Sequence, residues 1–413
     1  MTTDHGPEFL PPIPTRLPIP KDLDPTDDAA LTAIYHRPRV DPAAGQGPDT
    51  ANIIALTVAR PARTPHERAL LYLDALTHMN RENADQFLLE RRGAWHLGTF
   101  VVPAGLITGA GLMLLEVGTP GASAPDKLDG LGQDRTRWRT ALRSAVPLVP
   151  EALPEGALSE LIAAVPGDIS AVHPRGRVVH QSRWHSPNLG VDIRAWLAPA
   201  ARTSAYTLLL TDGGEYFGST PIMPALDASS APPTDVLAFG PAEREAREAV
   251  LGTDKLALFI DKELLPWART VHPITGELVI AGGSLGGLAA ARLVRTRPDL
   301  VPNAIVQSAA FWWPDYTFAE LEAWKRKAQG DETGTNAADA SAFRVFAEVG
   351  AYEGFLRKEN RKFAALLPAT TAFHHTREYP GGHDYVCWRA GIIDGLQWLA
   401  DTHSAARDTQ QEK

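Results

Sequence analysis

Ser284 stands in Gly282-Gly283-Ser284-Leu285-Gly286, a G-x-S-x-G arrangement behind Leu278-Val279-Ile280-Ala281 and ahead of Leu288-Ala289-Ala290-Ala291. A strand that turns sharply into a helix lifts such a serine to the end of a sheet, and the turn leaves little room for neighbouring side chains. The helix N-terminus aims backbone N–H groups at the place where an oxyanion develops. The chemistry this supports is nucleophilic attack on a carbonyl. A plain Gly-rich turn or a phosphate loop also fits the five residues alone; the strand before and the helix after favour the nucleophile elbow.

A serine nucleophile needs a base, and His383 in Pro380-Gly381-Gly382-His383-Asp384 follows the last expected strand. His374 and His375 compete, but adjacent residues inside a strand point to opposite faces. The acid is expected in the loop Val349-Gly350-Ala351-Tyr352-Glu353. Glu353 is the first candidate, Glu348 and Asp384 are alternatives, and a Ser–His dyad stays open. The oxyanion donors are expected to be the N–H of Leu285 and one near Gly214, in Leu210-Thr211-Asp212-Gly213-Gly214. A hairpin turn fits that last segment equally well.

The elements that position these residues alternate. Strands are expected near 178–184, 192–197, 206–211, 235–239, 277–281, 304–308, 343–348 and 372–378. Helical windows fall at 256–271, 285–296, 318–327, 353–366 and 388–399. That rhythm implies crossover connections and a mostly parallel sheet, about eight-stranded with an antiparallel first pair: an α/β fold with an α/β-hydrolase core. Ahead of it, 45–125 reads as β-rich, with 87–89 a short strand, 97–117 a buried hairpin and 134–149 a helix. The expected layout is a proline-rich arm over 1–44, a sandwich-like domain with connector over 45–170, the catalytic domain over 171–405 and a polar tail over 406–413.

The 413 residues carry 40 Lys+Arg against 49 Asp+Glu, a net charge of −9, which argues against a nucleic-acid partner. One cysteine, Cys387, forms no internal disulfide, no Cys/His spacing suggests a zinc site, and a reducing cytoplasmic compartment fits. No signal peptide is expected, because Met1–Pro20 is proline-rich with no continuous apolar run after a basic start, and no membrane segment, because Pro103 and four glycines break the apolar stretch 97–117.

Six segments, in order, resemble the enterochelin esterase family: Leu209-Leu210-Thr211-Asp212-Gly213-Gly214-Glu215-Tyr216-Phe217; Arg247-Glu248; Glu263-Leu264-Leu265-Pro266; Ala281 to Leu288; Gln307-Ser308-Ala309-Ala310-Phe311-Trp312-Trp313-Pro314; and Gly381-Gly382-His383-Asp384 with Cys387-Trp388-Arg389. The resemblance covers about 175–400 and is weaker before that. It implies a serine esterase that hydrolyses the trilactone of a catecholate siderophore to release iron, with no cofactor. It implies substrate contacts at Arg247, Phe311, Trp312, Trp313, Trp388 and Arg389. Flat aromatic faces suit catechol rings, although three core aromatics would read the same. The alternatives are a generic carboxylesterase or thioesterase on the same core, and a non-catalytic siderophore-binding relative.

Overall fold

The structure, a computed structural model, describes residues 15–42, 53–77, 80–116, short stretches between 131 and 162, 177–313, 343–367 and 373–411. The chain forms two units. One joins residues 1–171 with 351–354 and 380–387; the other comprises 172–350, 355–379 and 388–413.

In the first unit β1 (Thr15–Leu17), β2 (Arg39–Pro42), β3 (Ile53–Pro61), β5 (Glu90–Arg92) and β6 (Trp95–Pro103) make one antiparallel sheet. A second is built from β4 (Glu67–Leu73), β7 (Ile107–Glu116), β8 (Val146–Pro147) and β9 (Ser159–Ile162). Leu56, Val58, Phe100 and Val102 of the first share one core with Leu71, Leu73, Ala110 and Leu112 of the second. This is the face-to-face packing of a sandwich.

Three expectations are corrected here. Residues 97–117 are not a hairpin: β6 and β7 belong to different sheets, and the chain crosses between them through Pro103 and Gly105, whose φ is +74°. Residues 15–42 are no loose arm. No proline falls between Pro25 and Pro38, so helix Asp28–His36 forms in that gap, capped by Asp27 accepting the N–H groups of Ala29 and Ala30. Its Leu31 and Ile34 pack on Ala59, Trp95 and Leu97. Residues 87–89 are not a strand: Phe87 ends a 3₁₀ stretch over 81–87 and turns inward onto Tyr72, Met113 and Trp138, and Leu88 makes an isolated bridge to Leu70. The helix expected over 318–327, and most of that over 134–149, lie outside the described residues; Val146–Pro147 is strand.

The second unit carries, among the described residues, an eight-stranded sheet: β10 (His180–Ser186), β11 (Val191–Ala198), β12 (Tyr206–Leu210), β13 (Thr234–Pro241), β14 (Glu277–Gly283), β15 (Asn303–Gln307), β16 (Arg344–Gly350) and β17 (Phe373–Tyr379). Their order is β10-β11-β13-β12-β14-β15-β16-β17. The pairs β10–β11 and β11–β13 are antiparallel and every later pair is parallel. β12 reads Tyr-Thr-Leu-Leu-Leu and is buried along its whole length, as a central parallel strand covered on both faces must be. Helix Leu285–Thr296 buries Leu288, Leu293 and Val294 in the core that also holds Leu209, Ile280 and Val306. One box of the resemblance is structural: Glu263 accepts from Trp184 Nε1 (2.9 Å), Ser186 Oγ (2.8 Å) and Asn188 Nδ2 (2.6 Å), fixing the β10–β11 turn.

Candidate active site

Within the second unit, the described residues with positive φ other than glycine are Asp212, Ser284 and Ser308, each one or two positions beyond the C-terminal end of β12, β14 or β15. These strands are neighbours, and strained backbone gathered at the carboxyl ends of parallel strands marks a functional edge. Ser284 has φ 58° and ψ −120° and begins helix Leu285–Thr296. Its N–H donates to the Gln307 carbonyl at 3.0 Å, and its own carbonyl accepts from Leu288 and Ala310, both at 3.0 Å.

Sterics explain the elbow glycines. A Cβ on either Gly282 or Gly286 would lie 2.3 Å from Thr211 Oγ1, and one on Gly283 would lie 2.3 Å from the Trp388 indole. Thr211 therefore fits against the turn only because both glycines lack side chains. Trp388 is buried over Gly283 and donates its indole N–H to Ser308 Oγ at 3.1 Å.

The loop after β12 is braced from outside. Arg247 Nε and Nη2 donate to the two carboxylate oxygens of Asp212 at 2.6 and 2.7 Å, the fork geometry of guanidinium on carboxylate. Nη2 also lies 3.4 Å from the Gly283 carbonyl. Asp212 itself has φ 57°, so the ion pair holds a strained residue ahead of Gly213 and Gly214. Gly213, not Gly214, is the sterically demanded glycine: a Cβ there would meet Trp196 at 2.7 Å.

In the first unit, His383 Nδ1 and Glu353 Oε2 are 2.7 Å apart. The Glu353 carboxylate is fully buried and the imidazole is 36% exposed. A carboxylate accepting from Nδ1–H leaves Nε2 as the ring nitrogen that can take up a proton, the orientation a general base requires.

The competing acids are engaged elsewhere. Glu348 accepts from Gln307 Nε2 at 2.6 Å and from Arg377 Nε at 2.9 Å, in space left by the missing side chain of Gly391. Burial pushes its carboxyl up to about 7 against the pull of Arg377. Asp384 accepts from the Cys387 N–H at 2.9 Å, capping helix Tyr385–Gln411, and from the Gly109 N–H at 3.1 Å. Sequence reasoning missed Asp74. It accepts from the Tyr72 hydroxyl in the first unit, and burial raises its carboxyl while Tyr72 and His383 oppose the rise. Nothing local marks it, because the His383 loop lies some 300 positions away in the chain.

The expected substrate contacts divide. Phe311 is buried against Phe363, ring centroids 4.6 Å apart, and Trp388 is buried at the elbow, so both faces belong to the core. Arg389 is buried too, donating to the Pro221 carbonyl at 3.2 Å, and desolvation lowers its pKa to about 10. Arg247 has its fork on Asp212. Trp313 packs on the core and near Gly252, whereas Trp312 is 51% exposed. Of the aromatic set, Trp312 presents a face to solvent.

A mixed sheet whose last six strands are parallel, with a strained serine between β14 and the helix after it, defines an α/β-hydrolase core, preceded in the chain by a β-rich N-terminal region. A family model described as putative esterase matches residues 201–399. The iron(III) enterobactin esterase of Dickeya dadantii (strain 3937) is 31% identical over 54% of this chain, and the match spans 56% of that protein's length. The iron(III) enterobactin esterase of Escherichia coli O6:H1 is 25% identical over 67% of this chain and 71% of its own length. In fold, the chain is similar to the crystal structure of ferric enterobactin esterase from Salmonella typhimurium, with a TM-score of 0.69, 21% identity and coverage of 91% of this chain and 99% of that one. Over residues 201–399 the chain is similar to the putative esterase family, and it spans about half the length of the first of these curated relatives. Among the described residues no helix is long and apolar enough to cross a membrane.

Proposed function

We propose that the protein is a serine esterase that opens the ester backbone of a catecholate siderophore and so releases its iron. The observation that carries the reading is the strained Ser284 between β14 and helix Leu285–Thr296, since backbone strain of this kind gathers at active sites. Ser284 Oγ attacks the ester carbonyl and passes its proton to His383 Nε2, while Glu353 holds the imidazolium that forms. The N–H groups of Leu285 and Gly214 take the developing oxyanion. His383 returns the proton to the leaving alkoxide, and water, activated by the same base, frees the acyl group.

The names of the relatives support the substrate class: enterobactin esterases, and a salmochelin esterase 29% identical over 46% of this chain. Three catechols on one ring chelate iron at high mutual effective concentration, and opening the ring lowers it. On this reading the strands of the second unit are the whole hydrolase sheet, the N-terminal domain takes in residues 15–42, residues 406–411 continue helix Tyr385–Gln411 rather than forming a tail, and the lone Cys387 points to the cytoplasm. Labelling with a fluorophosphonate, followed by peptide mapping, tests it: the adduct falls on Ser284, and its formation at another residue contradicts the assignment.

A further inference from the structure

We infer that Thr108 and Asp384 are positioning residues for His383, so that the N-terminal sandwich holds the histidine through them. The inference rests on the reading of His383 as the base. It begins from the fact that residues 380–387 and 351–354 group with the sandwich in the first unit.

The histidine loop runs alongside β7. Ile107 N–H donates to the Pro380 carbonyl at 2.9 Å, Ile107 and Gly381 form a parallel bridge, and Cys387 Sγ lies 3.0 Å from the Ile107 carbonyl. Both neighbours of His383 are fixed. On one side a Cβ on Gly382 would sit 2.5 Å from Ala75 Cα, so the loop lies flat on the sandwich. On the other side Asp384 Oδ2 accepts from Gly109 N–H at 3.1 Å and from Thr108 Oγ1 at 3.2 Å. The buried Thr108 hydroxyl in turn accepts from Ala75 N–H at 2.9 Å. Thr108 thus joins the two anchors, and His383, itself partly exposed, is held by what flanks it. Tyr352 N–H donates to the Gly381 carbonyl at 3.1 Å, which ties the Glu353 loop to the same frame.

An N-cap and nothing more would make Asp384 a stability residue. A positioning role makes a different demand, because a displacement of about 1 Å at a reacting group can cost on the order of 100-fold in rate. In the full-length protein, Thr108→Val should lower kcat on a small aryl ester roughly 10–100-fold with KM unchanged, and Thr108→Ser should restore it. Asp384→Asn should lower kcat likewise and serves if Thr108→Val does not fold. Wild-type kcat in both folded variants overturns the inference, and so does a Thr108→Ser protein as slow as Thr108→Val. Crystal structures of the wild type and variants decide the matter without turnover: His383 Nδ1 must part from Glu353 Oε2 in the variants, and an unmoved pair overturns the inference. A wild type that hydrolyses no ester refutes the esterase reading instead, and leaves the crystallographic comparison standing.

Discussion

Glu353 Oε2 lies 2.7 Å from His383 Nδ1, whereas Glu348, five residues earlier and inside β16, is tied to Arg377 and Gln307. The two carboxylates therefore predict opposite results. Glu353→Gln should cut kcat by something like 10³–10⁴ with little change in KM, since its charge matters only as the imidazolium forms. Glu348→Gln should leave kcat within about tenfold. Steady-state kinetics on one small ester separates them, and the reverse ranking would transfer the acid's role to Glu348.

Arg247 offers a second split. If its fork braces Asp212 and the loop carrying Gly214, Arg247→Lys should lower kcat about tenfold or more even on a small neutral ester, because an ammonium cannot make both bonds. A loss confined to KM for an anionic substrate would make Arg247 a substrate contact instead.

The tryptophan pair is told apart by burial. Trp312→Ala should leave the melting temperature unchanged and weaken handling of the trilactone while sparing a small ester, since stacking adds roughly 0.5–1.5 kcal/mol away from the scissile bond. Trp313→Ala should cost about 3–5 kcal/mol of stability and depress both activities together. Thermal melts beside the two assays check this; equal loss on both substrates for Trp312→Ala with an unchanged melt removes the catechol contact.

The sheet of the second unit was legible because its strands are short apolar or alternating runs between glycines and prolines, and the elbow because its glycines, the strand before and the helix after are contiguous in sequence. What escaped reading depends on distant partners. Whether β6 pairs with β7 is decided by which sheet each completes, not by the apolar texture they share. Helix Asp28–His36 was hidden by the prolines before it, although Asp27 announces its start. Phe311, Trp312 and Trp313 are one run in sequence and three environments in space, and Thr108 and Asp384 meet across 276 positions.

His96 gives a pH prediction. It is fully buried beside Glu67, 3.5 Å away, with Arg60, Arg68 and Arg91 around it, and burial lowers its pKa below 6.5. A depressed histidine stays neutral in the folded state while the unfolded chain takes up a proton, so stability falls as pH drops below about 6.5. Chemical denaturation of wild type and His96→Gln between pH 7 and pH 5 should show their stability difference shifting by up to about 1.4 kcal/mol per pH unit in favour of the variant. A pH-independent difference would show that His96 is protonated alike in both states.

The most direct test is hydrolysis of a catecholate trilactone, ferric and iron-free, with linear trimer, dimer and monomer resolved by chromatography, for wild type and Ser284→Ala. The account predicts stepwise ring opening by the wild type and, in the folded Ser284→Ala protein, a rate lower by a factor on the order of 10⁴ or more. Opening at the wild-type rate in Ser284→Ala, or a wild type that cleaves a small ester but leaves the trilactone intact, would contradict it.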